Sequence, residues 1–408
     1  MTTPLNGIRV LDLSRILAGP WAGQLLADLG ADVIKVENPK AGDDTRQWGP
    51  PYLKDSANHD TSEAAYFLSA NRGKRSIAVD ITQAEGQALI QKLARHVDIV
   101  IENYKVDGLK KYGLDYATLS TLNPKLIYCS ITGFGQTGPY RARAGYDFMI
   151  QGMGGLMSIT GEADGNPGAG PQKVGVAVTD IFTGLYATIA IQGALIERQQ
   201  SGLGQHIDMA LFDVQAAVLA NQASNYLVGG ITPQRMGNAH PNIVPYQAFA
   251  SKDGHIILAV GNDSQFKKFC EVAGCPELAL DPRFATNPSR VANRLVLCEH
   301  IATLIKQRHS EDWLAALEQK GVPCGPINTI DKVFNDPQLL SRDMRIQVEH
   351  PLAGSVELAG NPIHYSRSQL NQSKAPPLLG EDTDSVLRDV LGLGSDEIDQ
   401  LTLKKIVR

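Results

Sequence analysis

The chain opens with a strand, a helix and a second strand in immediate succession, which limits the fold more than anything that follows. Ile8-Arg-Val-Leu-Asp-Leu13 has the apolar texture of a buried strand, and Ala31-Asp-Val-Ile-Lys-Val-Glu37 repeats it. Between them a loop with Ala18-Gly-Pro20 leads into a helix through Gln24-Leu-Leu-Ala-Asp-Leu29, which Gly30 stops. Strands joined by a helical crossover lie parallel in one sheet, so an α/β fold follows. The alternation resumes with strands at Ser76-Ile-Ala-Val-Asp80, Asp98-Ile-Val-Ile-Glu-Asn103 and Leu126-Ile-Tyr-Cys-Ser-Ile131, and helices over 85–95 and 180–200. Residues 206–221 read as a strand followed by a helix leading out of this first region. From Val244 short strands and turns give way to amphipathic helices near 264–273, 294–307 and 310–320, a smaller α/β unit ending near Asn328. Antiparallel strands are expected at 346–350, 354–358 and 363–365, and a last helix around 383–391.

Asp180 interrupts the apolar stretch Val174-Gly-Val-Ala-Val-Thr-Asp-Ile-Phe-Thr-Gly-Leu-Tyr-Ala-Thr-Ile-Ala-Ile191. Val174, Val176 and Val178 alternate like a strand, whereas Ile181, Leu185 and Ile189 recur at helical spacing. A carboxylate at such a junction is either a helix cap or a functional group held at the mouth of a sheet.

Two basic clusters, Arg72, Lys74 and Arg75, then Lys105, Lys110 and Lys111, fall on loops between strands. They suit a phosphorylated ligand or a solvated basic face. Gly19 and Gly23 miss the dinucleotide spacing, and no phosphate-binding G-x-x-x-x-G-K-[ST] loop occurs, so NAD and ATP are poor candidates.

Composition narrows the class. A chain of 408 residues has room for two or more domains. Net charge −5 argues against a nucleic-acid partner. Five cysteines with no CxxC pair or metal-ligand spacing predict reduced thiols and no metal. The N-terminal residues lack the features of a signal peptide and no uninterrupted apolar run reaches bilayer length, so a cytoplasmic protein without membrane association is expected.

A resemblance runs through the chain in order. Leu11-Asp-Leu-Ser-Arg-Ile-Leu-Ala-Gly-Pro20, Leu29-Gly-Ala-Asp-Val-Ile-Lys-Val-Glu37, Gly42-Asp-Asp-Thr-Arg46 and Asn71-Arg-Gly-Lys-Arg-Ser76 resemble the class III coenzyme A-transferases. So do Ile131-Thr-Gly-Phe-Gly-Gln-Thr-Gly-Pro139, Ala144-Gly-Tyr-Asp147, Val178-Thr-Asp-Ile-Phe-Thr-Gly184, Gly321-Val-Pro-Cys-Gly-Pro326 and Ala375-Pro-Pro-Leu-Leu-Gly380. The resemblance implies a doubly wound, Rossmann-like large domain built from both chain ends (1–205 and 331–408). It also implies a linker and helix (206–240), an inserted small α/β domain (241–330) and an interlocked homodimer.

It further implies that Asp180 attacks an acyl-CoA thioester, forming a mixed anhydride and then an aspartyl-CoA thioester. Coenzyme A is then a substrate, with no permanently bound cofactor and a carboxylic acid as the second substrate. Ile16 and Ala18 should line the CoA site, with Arg72, Lys74, Arg75, Asn103, Tyr104 and Lys111 around its phosphates, ribose or base. Asn38 departs from the family's usual arginine, and Leu17 replaces the glutamine of formyl-CoA-transferring members. Gly261-Asn-Asp-Ser-Gln265 is similar to a glycine loop that caps the site.

Residues 42–51, with Arg46 and Trp48, and Ile243-Val-Pro-Tyr-Gln-Ala-Phe249 are closest to a succinate-linked member. Arg46, Arg235 and His240 are therefore candidates for the second carboxylate of a dicarboxylate. Two neighbouring activities are alternatives: a carnitine-type transferase and an α-methylacyl-CoA racemase. Racemases place a histidine where this chain has Tyr146, and a tyrosine of pKa ~10 is a poor proton acceptor at neutral pH. A non-catalytic CoA-binding scaffold would need the basic clusters but not Asp180.

Overall fold

Six parallel strands form the central sheet: β1 (Arg9–Asp12), β2 (Asp32–Glu37), β3 (Arg75–Ala78), β4 (Ile99–Glu102), β5 (Ile127–Thr132) and β6 (His206–Ala210). Their spatial order is β3-β2-β1-β4-β5-β6, the doubly wound arrangement. The computed structural model describes residues 2–408.

The strands alternate two apolar faces. Val10, Val33, Ile99, Ile101, Ile127, Cys129 and Ile131 join one buried cluster; Leu11, Ile34, Ile77, Val100 and Tyr128 join the other. Helices α1 (Ala18–Asp28) and α4 (Val178–Ser201) cover the first face, and α2 (Ala84–Ala94) with the helix Thr383–Leu391 covers the second. Helix α3 (Asp147–Met153) lies against α4. Gly30, at φ +97°, ends α1 and turns the chain into β2. The C-terminal segment returns to β3, where Val407 bridges Val79 and the Asp382 carboxylate accepts the Ser76 amide at 2.9 Å.

The chain forms two units. The larger takes residues up to Gly155, Val174–Ala223 and Pro337–Arg408; the smaller takes Leu156–Lys173 and Ser224–Asp336. The smaller holds a three-stranded antiparallel sheet, β7 (Tyr246–Ala250), β8 (His255–Ala259) and β9 (Cys324–Pro326), in the order β9-β8-β7. Phe249, Ile256, Leu258, Phe266, Phe269 and Trp313 build its core.

Five sequence expectations change. The strand expected at Val174–Val178 does not form: the Val174 amide goes to the Gln151 side chain, and α4 begins at Val178 instead. The large unit runs past residue 205, through β6 and into Ala223. Residues 156–173 group with the smaller unit, and no strand forms at 363–365. Finally, α4 is long and apolar enough to cross a membrane, yet it packs against α1 and β5 within the larger unit.

Candidate functional site

The strand order places a crevice where the chain changes direction. From β1 it winds outward through β2 and β3, then returns to β4 on the other side of β1. Loops leaving the carboxyl ends of β1 and β4 therefore diverge, and ligands of doubly wound sheets bind in the gap. A cleft of about 470 Å³ lies there, walled by Arg15–Ala18, Asn103–Val106, Lys111, residues 131–133, residues 143–146 and Asp180.

The loop after β1 is held from beneath by buried charge. Ile16 has φ +74°, a costly conformation for a β-branched residue. Asp43 fixes it by accepting the Ile16 amide at 3.2 Å and the Lys35 ammonium at 2.8 Å, while Lys35 also donates to the Ser14 carbonyl at 2.9 Å. Burial alone would raise the Asp43 pKa, but Lys35 and the Thr45 donors bring it down to about 2. Asn103 ties this loop to the one after β4: its Oδ1 accepts the Arg15 amide at 2.9 Å and its Nδ2 donates to the Arg15 carbonyl at 2.6 Å.

Asp180 is the third residue of α4. The Asp147 Oδ1 accepts the orphan helix amides of Thr179 at 2.8 Å and Asp180 at 3.3 Å. Asp147 is held in turn by Gln151 Nε2 at 2.6 Å, and Gln151 Oε1 accepts the Val174 amide at 2.9 Å. The cap is thus Asp147, which leaves the Asp180 carboxylate without a hydrogen-bond or ion-pair partner among the described residues. Burial first, and the Asp147 charge second, push the Asp180 pKa up to about 7. Tyr66 belongs to the same neighbourhood, because burial and then the Asp180 and Asp147 charges raise its pKa.

Ile16, Ala18, Asn103, Tyr104, Lys111 and Tyr146 line the cleft with Asp180. Four other candidates are spent in internal pairs. All three Lys74 donors are used, by Asp12 at 2.9 Å, the Pro20 carbonyl at 2.9 Å and Asn71 at 2.8 Å, and burial pulls its pKa down to about 8. Arg72 makes a forked pair with Asp28 and donates to the Ala359 carbonyl. Arg75 forks onto Asp32. Arg46 forks onto Glu37 at 2.8 Å, meets Glu63 at 3.1 Å and lies over the Phe67 ring. None of these four lines the cleft.

Trp48 stacks edge-on against Tyr66, with ring centroids 5.0 Å apart, and so stands near the Asp180 neighbourhood rather than in the cleft wall. The other three candidates lie in the smaller unit. Arg235 pairs with Asp164, with its Nε unpartnered. His240 accepts the Asn242 amide at 3.1 Å and tilts against Tyr246. Gly261 donates its amide to Gln265 Oε1 at 2.7 Å, just before Asn262 caps the helix Asp263–Ala273. Sequence reasoning missed Asp147, Tyr66, Arg141 and Arg143. The two arginines had a signal, an Arg-x-Arg pair in the loop that leads to Tyr146.

The chain matches CoA-transferase family III over residues 5–383. It is 55% identical over 387 residues to a succinate–glutarate CoA-transferase of Agrobacterium fabrum, covering 95% of this chain and 96% of that one. It is 43% identical to a succinyl-CoA:glutarate CoA-transferase of Mus musculus, covering 99% and 90%. A crystal structure of a CAIB/BAIF family protein from Brucella suis superposes with a TM-score of 0.84 at 54% identity, covering 96% of this chain and all of that one.

Proposed function

The chain belongs to CoA-transferase family III, and from that premise we propose that it moves coenzyme A between succinyl-CoA and a C4–C6 dicarboxylate such as glutarate, with Asp180 as nucleophile. The activity named for the 55% and 43% identical relatives supports the substrate class. The observation that carries the role of Asp180 is its carboxylate, unpartnered and facing a cleft between diverging loops.

The steps balance without outside reactants. The Asp180 carboxylate adds to the thioester carbonyl, the C–S bond breaks, and a mixed anhydride and CoA thiolate form. The thiolate attacks the aspartyl carbonyl of that anhydride, releasing succinate and leaving an aspartyl-CoA thioester. The acceptor carboxylate attacks this thioester, giving a second anhydride and thiolate. Thiolate attack on the acceptor's acyl carbon forms the product CoA ester and restores Asp180. Tyr104, Asn103, Lys105 and Lys111 are proposed to hold the nucleotide end of CoA, where lysine point charges suit phosphates. The apolar wall formed by Ile16, Ala18, Ile131 and Leu211 would keep water from the anhydride.

A homodimer working in the cytoplasm belongs to the same reading. Leu185, Ile189 and Ile196 on α4 are 38%, 65% and 62% exposed, an apolar stripe suited to a second copy. All five cysteines are unpaired, as in a reducing compartment.

Mass spectrometry of CoA exchange from succinyl-CoA to a panel of acids tests the proposal, with Asp180→Ala as control. Transfer to glutarate, lost in the variant while the fold is kept, is the expected result. Wild-type turnover in Asp180→Ala would remove the nucleophile assignment. A preference for carnitine or monocarboxylates would keep the family and discard the substrate.

A further inference from the structure

Three arginines line the cleft, and two of them are neutralised within the chain: Arg15 by Asp44 and Arg141 by Asp107, each at 2.8 Å. Arg143 makes no ion pair among the described residues. Its guanidinium lies 5.1 Å from the Phe134 ring centroid and 4.7 Å from that of Tyr140, and its one hydrogen bond goes to the Met153 sulfur at 3.7 Å. Aromatic faces orient a guanidinium without cancelling its charge. The result is a planar, exposed cation held in place for an anion that the chain does not supply.

Its position in the chain indicates which anion. Arg143 lies on the loop from β5 to α3, three residues before Tyr146 and four before Asp147, which bonds the amide of Asp180. The unpaired lysines, Lys105 and Lys111, come from the loop after β4. We propose that Arg143 receives the far carboxylate of the acyl chain and so selects dicarboxylates over monocarboxylates. The proposal rests on the reading of Asp180 as nucleophile and of a dicarboxylate as acceptor. A guanidinium fork matches a carboxylate in two parallel hydrogen bonds. A monocarboxylate of equal length would place a methyl group there and leave the fork unmatched.

The test compares glutarate with pentanoate as acceptors, read as kcat/KM for the acceptor. In a two-step exchange that ratio is independent of the donor. Arg143→Met should lose about 10- to 100-fold of the wild-type preference for glutarate, and Arg143→Lys should restore part of it. Calorimetric binding of free CoA and the melting temperature should stay at wild-type values. A wild-type enzyme without preference for glutarate overturns the dicarboxylate reading itself. A preference that exists and survives Arg143→Met overturns the role of Arg143 alone. Weakened binding of free CoA in the variant also overturns it, by placing the arginine on the phosphates.

Discussion

Asp180 must be ionised to attack, and its surroundings oppose that. A carboxylate raised to about 7 by burial and by Asp147 is half protonated near neutrality. kcat/KM for the acyl-CoA should therefore climb as pH rises through about 7 and level off above it. Asp147→Asn keeps an oxygen for the Thr179 and Asp180 amides but removes the charge, so the acid limb of that profile should move to lower pH. An unmoved limb would show that Asp147 contributes only the cap. Stability has the opposite sign. Between the unfolded carboxylate pKa of ~4 and about 7 the folded chain holds the extra proton, so the Asp180 contribution to stability falls as pH rises across that window. Asp180→Ala should flatten this part of the melting-temperature profile. The sequence showed Asp180 as isolated and left its cap or catalytic role open; Asp147, which resolves the cap, lies 33 residues away.

Helices α1 and α4 place the two sides of the site against each other, and one glycine sets how close they come. A Cβ on Gly184 would stand 2.8 Å from the Ala18 carbonyl oxygen and 3.0 Å from the Trp21 side chain. Gly184→Ala should separate the helices, costing about 1–3 kcal/mol and shifting Asp180 relative to the loop bearing Ile16 and Ala18. A lower melting temperature with kcat falling more than KM is expected; an unchanged melting temperature would mean that the helices slide without strain. At this scale the sequence was most legible where apolar strands recur with helical crossovers. It misled at Val174–Val178, because alternation registers the side chains a strand would present and says nothing about what takes its backbone groups, here the Gln151 side chain at the Val174 amide.

At the scale of the whole chain, the apolar stripe on α4 should make the protein a dimer in light scattering. Ile189→Glu with Ile196→Glu should shift it to monomers; a monomeric wild type would leave that stripe to another partner. The order of elements determined the doubly wound sheet, because period-two strands joined by helical crossovers admit few other arrangements. Its switch point then fixed where a ligand could bind, and the motifs around it identified the family. Which basic residues stay free for a ligand was decided only by the tertiary structure. Arg46, Arg72, Lys74, Lys111 and Arg143 carry the same formal charge in the sequence. Yet Arg72 meets Asp28 from 44 residues away and Lys74 meets Asp12 from 62, whereas Arg143 meets only aromatic rings and a sulfur. A charge is a property of the residue, but its availability depends on the groups that folding brings within about 4 Å of it.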